Sequence, residues 1–512
     1  MTKEMPLTKR IGALWVLAVL FGCAPAPDPG RDWFHTGTGP LVLSGVTVVD
    51  VRTGQTRADA DVFLDKGTIV KITDGEGPAP ASSATVIDAR GKYVIPGYVD
   101  MHVHIVDRPY LTESLALMLA GGVTGFRQMS GSQSVLEDRR AGALPLPEGA
   151  PRLLAMPSAV LTPLNARNPK AAIKRVQSQA AAGADFIKVG LVGRPAFLAV
   201  MAEAERLNIP VAGHIPPGVC ADAPSVLGMR SVEHLGAMNA LAIACSSKAD
   251  ELQAHATPAW MDKLSSLPFE IPFADRIVFF LLNDTLVNPI VGTPPEGVEQ
   301  LRVTVDTFDL TLCQELAADF VASGTWQVPT LINTKSHYLA DSPEFLNAPW
   351  LKFMPQADRE RWRRVTTRYT TEFDDTAKHI LAQTYARELQ LVGMLDRAGI
   401  PMLTGSDGGP GTMGSKLHME FGELADAGLS TLKILQMATL NPAIFFHEEG
   451  KWGTVAPGMR ADLVVLDRNP LESVDHMHAI NAVIVGGNYY GAKDLARLKQ
   501  RVADARAVDA AP

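Results

Sequence analysis

Eight short apolar runs dominate the middle of the chain and alternate with stretches of helical pattern. They lie at 93–101, 122–129, 152–156, 185–189, 209–212, 230–233, 326–331 and 400–403. Each has strand length, is rich in apolar residues and is flanked by Gly, Pro or polar residues, the pattern of a strand buried on both faces. Strands of that kind alternating with helices predict an α/β fold, a (β/α)8 TIM-type barrel. The helical pattern is clearest at Leu381, Tyr385, Val392 and Leu395, one face of a helix closed by Gly399. The intervals 235–325 and 332–399 are longer than a single crossover needs, which predicts helical insertions on the C-terminal rim.

The flanks have a different texture. Residues 41–92 read as short β segments separated by Gly and Asp turns, and β pattern returns at 450–490. Together they predict a small β-sandwich built from N- and C-terminal segments around a barrel at 93–449. Leu495, Leu498 and Val502 suggest a short surface helix within a tail at 491–512. At the other end, Lys3, Lys9 and Arg10 precede an apolar core at 11–21 and Cys23. That core is far shorter than the roughly 20 residues a spanning helix needs, so 1–23 reads as a signal peptide. The ending Leu20-Phe21-Gly22-Cys23 suggests the lipoprotein type with Cys23 as the lipidation site, an ordinary cleavage shortly after Cys23 being the alternative. Residues 24–40 then form a tether. The expected address is the periplasm or outer membrane of a Gram-negative cell, with membrane contact only through the lipid.

Export makes the remaining cysteines relevant: Cys220, Cys245 and Cys313 allow at most one internal disulfide. Cys220 and Cys245 follow neighbouring candidate strands and are the favoured pair, with free buried thiols as the alternative. With 47 basic against 55 acidic side chains the formal charge is −8, which argues against a nucleic-acid partner.

The chemistry gathers at strand ends. Asp100-Met101-His102-Val103-His104 closes the first barrel strand, and residues i and i+2 of a strand share a face, so both imidazoles can reach one point. His214, His234 and Asp407 each follow a further apolar run and converge on the same mouth in a barrel. Imidazole and carboxylate together suit zinc and related divalent ions. A second His-x-His, His476-Met477-His478, lies in a polar segment without such partners. Lys188 sits inside the apolar run 183–189. Burial lowers a lysine's pKa, and a neutral amine can take up CO2 to give a carbamate with two ligand oxygens, a rim ion pair being the alternative. Arg127 near the end of the second strand can pair with a substrate carboxylate or be structural. His337 and Tyr338 after the seventh strand, and His418 after the eighth, are further candidates for the substrate pocket.

This set resembles the amidohydrolase superfamily, and specifically its imidazolonepropionase-like and Xaa-Pro dipeptidase-like group. The resemblance rests on Val94-Ile95-Pro96-Gly97-Tyr98-Val99-Asp100-Met101-His102-Val103-His104, Gly122-Val123-Thr124, Asn441-Pro442-Ala443, Gly453-Thr454-Val455-Ala456-Pro457-Gly458 and Ala461-Asp462-Leu463-Val464-Val465-Leu466. It implies a binuclear centre in which His102, His104 and Asp407 hold one zinc, His214 and His234 hold the other, and carboxylated Lys188 bridges them. Asp407 would move the proton. Superfamily deaminases typically carry a Glu three residues after the strand-5 His, where this chain has Pro217. The implied activity is hydrolysis of amide bonds in small molecules such as dipeptides or N-acyl amino acids. A lactone, ester or phosphotriester hydrolase and a non-catalytic binding lipoprotein are the alternatives.

Overall fold

The computed structural model describes residues 33–35, 39–75, 83–254 and 283–509. The leader and Cys23 lie outside the described residues. The chain enters through five strands: β1 (Leu41–Val49), β2 (Thr56–Asp65), β3 (Thr68–Asp74), β4 (Thr85–Asp88) and β5 (Tyr93–Pro96). β1 to β3 form an antiparallel meander, and β4 and β5 both pair parallel with β1.

The run 93–101, expected as one strand, is two. At Gly97 the chain leaves the entry sheet and continues as β6 (Tyr98–Val103). A Cβ at Gly97 would collide with the side chain of Thr124, so the crossing between the two sheets needs glycine. β6 pairs parallel with β7 (Val123–Gln128), and β7 with β8 (Arg152–Ala155). A second parallel sheet holds β9 (Ile187–Val189), β10 (Val211–Gly213), β11 (Ser231–Glu233) and β12 (Trp326–Val328). The two sheets are linked by parallel bridges Leu161↔Val189, Gln327↔Met402 and Val103↔Gly408.

The eighth run is irregular, yet it is stitched to both neighbours. Leu403 N–H donates to Gln327 O at 3.0 Å, Met101 N–H to Thr404 O at 2.9 Å, and Asp407 N–H to His102 O at 2.9 Å. Its approach is close, since a Cβ at Gly405 would lie 2.8 Å from the Cβ of His102 and from Val328 Cγ1.

The chain then returns through β13 (Leu463–Leu466), β14 (Ile480–Val485) and β15 (Asn488–Gly491). β13 pairs antiparallel with β5, so strands from both ends form one mixed sheet in the order β15-β14-β13-β5-β1-β2-β3, with β4 beside β1. Leu43, Val62, Ile69, Leu463 and Ile484 share its own apolar core. The C-terminal segment is more than a tail: a helix at Ala492–Asp509 buries Leu495, Leu498 and Val502. Arg506 on that helix donates to Glu113 at 3.1 Å on the helix Leu111–Ala120.

Among the described residues, helices occupy both long intervals. Leu331–Tyr338, Gln356–Glu372 and Asp375–Arg397 follow β12, and Leu381, Tyr385, Val392 and Leu395 are buried as the periodicity predicts. The disulfide joins Cys245 to Cys313, not Cys220 to Cys245. Cys313 lies on the buried face of the helix Leu310–Ser323, which packs on the segment holding Cys245, whereas Cys220 is exposed and free. Among the described residues no helix is long and apolar enough to cross a membrane.

Candidate metal centre

The strand ends bring His102, His104, His214, His234, Lys188 and Asp407 toward one face. Asp407 is the hub. Its Oδ1 lies 3.2 Å from His104 Nε2 and 3.5 Å from His102 Nε2, and its Oδ2 lies 3.6 Å from His234 Nε2. Ligand atoms of His102, His234 and Asp407 all fall within 4.8 Å of one another.

The partner of each ring's far nitrogen assigns its tautomer. His102 Nδ1 meets Glu233 Oε2 at 2.7 Å; an ionised carboxylate only accepts, so Nδ1 carries the proton and Nε2 a lone pair. His104 Nδ1 meets Ser130 Oγ at 2.9 Å, and Ser130 gives its own proton to Asp107 at 3.1 Å, so it accepts from the ring. His234 Nδ1 meets Thr330 Oγ1 at 2.5 Å, and Thr330 donates to Pro329 O at 2.8 Å. Three Nε2 lone pairs therefore face one carboxylate. Acceptor against acceptor at these distances is repulsive unless a cation lies among them. The buried Nε2 of His102 has no hydrogen-bond partner among the described residues, which matches that reading and breaks the usual rule for buried polar atoms.

Burial, with Lys188's charge next, pushes the His102 and His214 rings well below the ordinary imidazole value. His234 is pushed down to about 4, mainly by burial. Neutral imidazole is the ligating form. The backbone at the site is held under strain: His234, Thr330 and Asp407 have φ of 54°, 49° and 47°, left-handed values that non-glycine residues rarely adopt.

Lys188 is 2% exposed, and its Nζ has no partner among the described residues. Burial pushes its pKa down to about 8. His214 ends β10 next to it, with its backbone N–H on Val189 O and its ring edge-on to His234 at 5.2 Å. Its buried Nδ1 is also without a partner among the described residues. These orphaned donors and lone pairs fit a divalent-cation centre.

Arg127 takes the structural role. Its guanidinium is 1% exposed and donates to Met101 O at 2.7 Å, Ser231 Oγ at 3.1 Å and Glu233 Oε1 at 2.8 Å. Burial alone would raise the Glu233 carboxyl, but Arg127 and the His102 hydrogen bond outweigh it and hold Glu233 well below the usual carboxylate range. Arg127 thus keeps Glu233 charged so that Glu233 can hold His102, the carboxylate-histidine support typical of metal ligands.

Two other candidates sit away from the site. Tyr338 is buried, with its hydroxyl on Asn239 at 2.7 Å. His418 donates from Nε2 to Gly121 O at 2.8 Å and packs among Tyr98, Phe421 and His478. His478 is thereby part of a packing cluster, and His476 is turned to Asn469 O at 2.7 Å. His337 follows β12 nearer the centre: burial first, then the charge of Lys416, pushes its ring down to about 3, with Asp407 opposing and His234 adding to that shift.

Asp407 opens onto a cleft of about 610 Å³. Its walls include Phe345, Trp350 and Trp362 from the rim insertion, Arg108 and Arg361, and Asn333 and Lys416 beside Asp407. Asn333, Lys416 and Glu233 have no motif around them. The one available signal is charge and amide placed inside otherwise apolar strand or helix faces.

A model of the amidohydrolase family matches residues 387–489. The dihydroorotase of Carboxydothermus hydrogenoformans is 41% identical over 96 residues, 18% of this chain and 21% of that protein. The matched part thus spans about a fifth of that curated relative. Over nearly the whole chain the fold is similar to that of solved amidohydrolases. A bottromycin amidohydrolase aligns with TM-score 0.60 and 23% identity over 93% of this chain and 96% of its own. A Xaa-Pro dipeptidase aligns with TM-score 0.55 and 16% identity over 88% and 100%.

Proposed function

We propose that this chain, an amidohydrolase by its 387–489 segment and by its fold, hydrolyses amide C–N bonds in small molecules such as dipeptides or N-acyl amino acids. One observation carries the reading: three imidazoles, each turned by its own acceptor, aim Nε2 lone pairs at Asp407 on the floor of a cleft. We read the two bridged parallel sheets with residues 400–408 as a (β/α)8 barrel, and the terminal strands as a sandwich beside it. His102, His104 and Asp407 would hold one divalent ion, with zinc as the proposed metal, and His214 and His234 a second. Lys188 as a neutral amine would add to CO2, forming an N–C bond and releasing one N–H proton, and the carbamate's two oxygens suit two cations. The leader supports an exported lipoprotein anchored at Cys23.

Cations so held supply charge that acidifies a water and polarises a carbonyl. The protein's own part is positioning and proton movement. Asp407 takes a proton from the attacking water at Oδ2, the oxygen farther from His102 and His104, and returns it to the leaving nitrogen. Phe345, Trp350 and Trp362 would cover an apolar substituent and keep bulk water out, while Arg108 and Arg361, the latter paired with Asp358 at 3.0 Å on the same wall, would bring positive charge suited to a carboxylate. The test is a panel of dipeptides and N-acetyl amino acids beside matched esters and lactones, on the zinc-loaded mature chain. Amide turnover is expected. Turnover of esters or lactones alone, or a loaded centre with no turnover, contradicts the proposal.

A further inference from the structure

Among the described residues, one side chain other than an imidazole donates to the Asp407 carboxylate. Asn333 Nδ2 donates to Asp407 Oδ2 at 2.7 Å, and Lys416 Nζ donates to Asn333 Oδ1 at 2.9 Å. An amide can present either end, but an ammonium has only protons to give. Lys416 therefore claims the amide oxygen and turns the NH2 toward Asp407. We propose that Lys416 and Asn333 are a positioning pair for Asp407: Lys416 sets the amide's direction, and Asn333 holds Oδ2 so that Oδ1 stays between His102 and His104.

The surroundings hold this relay rigid. Asn333 and Lys416 lie on Leu331–Tyr338 and Ser415–Asp426, the helices after β12 and after the eighth run. The same two helices are also joined where Ile332 N–H donates to Glu420 Oε2 at 2.8 Å and where Lys335 donates to Glu423 Oε1 at 2.7 Å. Tyr385 from the helix Asp375–Arg397 also donates to Glu423. The two rim helices are thus tied by three contacts, and of these only the Asn333–Lys416 contact continues to Asp407. Thr330, three residues before Asn333, holds His234, so a single short segment grips two members of the centre. Lys416 is 9% exposed, a buried cation near Asp407 and Glu420 whose one side-chain hydrogen bond among the described residues is to a neutral amide that can pass its polarisation on.

This inference rests on the proposed metal centre, and its test separates the two. Zn²⁺ alone is titrated in competition with a chromophoric chelator, and the visible absorption of the Co²⁺-loaded protein is recorded. The proteins are wild type, Asn333→Ala, Lys416→Met, Lys416→Arg and the Asn333→Ala/Lys416→Met double variant. Losing an outer partner of a metal ligand typically weakens binding by about 10–100-fold, and that is the loss expected for Asn333→Ala, with an altered Co²⁺ spectrum. Lys416→Met should shift both readouts the same way, and Lys416→Arg should recover much of the loss. The double variant should be no weaker than Asn333→Ala, because Lys416 acts through the amide. Unfolding scans verify that each protein folds. If Asn333→Ala does not, the Met and Arg variants of Lys416 decide by the same readouts. Affinity within twofold of wild type with an unchanged spectrum, or additive losses, overturns the pair alone. A wild-type chain that takes up no zinc overturns the metal centre and this pair together.

Discussion

Glu233→Gln is nearly isosteric and tests the support beneath His102. Glu233 is fully buried and accepts from His102 Nδ1 at 2.7 Å, Arg127 at 2.8 Å and Ser231 Oγ at 2.6 Å. A glutamine has one oxygen for these three donors. If that oxygen stays with Arg127 and Ser231, the new NH2 faces His102 Nδ1 and drives the ring proton to Nε2, where the lone pair is needed. If the amide turns over, it meets Arg127 donor to donor. Either way the Arg127 charge is left buried without its counter-charge, and breaking one side of a buried pair costs about 3–5 kcal/mol. An unfolding entropy of about 2.1 cal/mol/K per residue over a chain of this length converts that to a Tm loss of roughly 3–5 °C. Zinc affinity should fall by about 10–100-fold. The assay is thermal unfolding of the metal-free protein together with a chelator-competition titration. A variant that keeps zinc affinity within twofold and Tm within about 1 °C refutes the reasoning, because neither the tautomer nor the charge would then matter.

Asp407→Asn should keep part of its metal affinity but lose about 10²–10⁴-fold in turnover on any amide found in the panel, the usual worth of a positioned general base. The metal-free protein should lose stability as pH falls from about 6.5 toward 3. His418 contributes because burial, aided by His478, pushes its ring down to about 3 in the folded state. The unfolded ring takes its proton first, near pH 6.5, so protons favour unfolding across that window. Accordingly, Tm against pH should be flatter for His418→Asn than for wild type between 6.5 and 4, and parallel curves would contradict this. Cys245→Ala opens a loop closed over a separation of 68 residues, with an expected cost of up to about 4 kcal/mol; denaturant midpoints in oxidising buffer would show it, and an unchanged midpoint would speak against the Cys245–Cys313 link.

His102, His104, His214, His234 and Asp407 were legible as candidates because each stands where an apolar run stops, Lys188 because it is a charge inside such a run, and the strand period places His102 and His104 on one face. What escaped was set by contacts distant in sequence. Arg127 and Glu233 are 106 residues apart, and nothing local tells a structural arginine from one that greets a substrate. His418 lies on a helix beside the cleft, yet its ring turns inward to Gly121 O, a rotamer choice that only packing decides. Cys313 reaches Cys245 through a helix inside an insertion whose direction no periodicity encodes. The eighth run reads as a strand but is bent by its approach at Gly405 and the left-handed backbone of Asp407. That irregularity is what turns the carboxylate into the ring of histidines.

The central claim is a two-ion centre that depends on Lys188, and metal content tests it most directly. Elemental mass spectrometry of the 24–512 chain should find about two divalent ions in wild type and a clear fall in Lys188→Ala. Equal content in both proteins, or no tightly held metal in wild type after reloading, would contradict it.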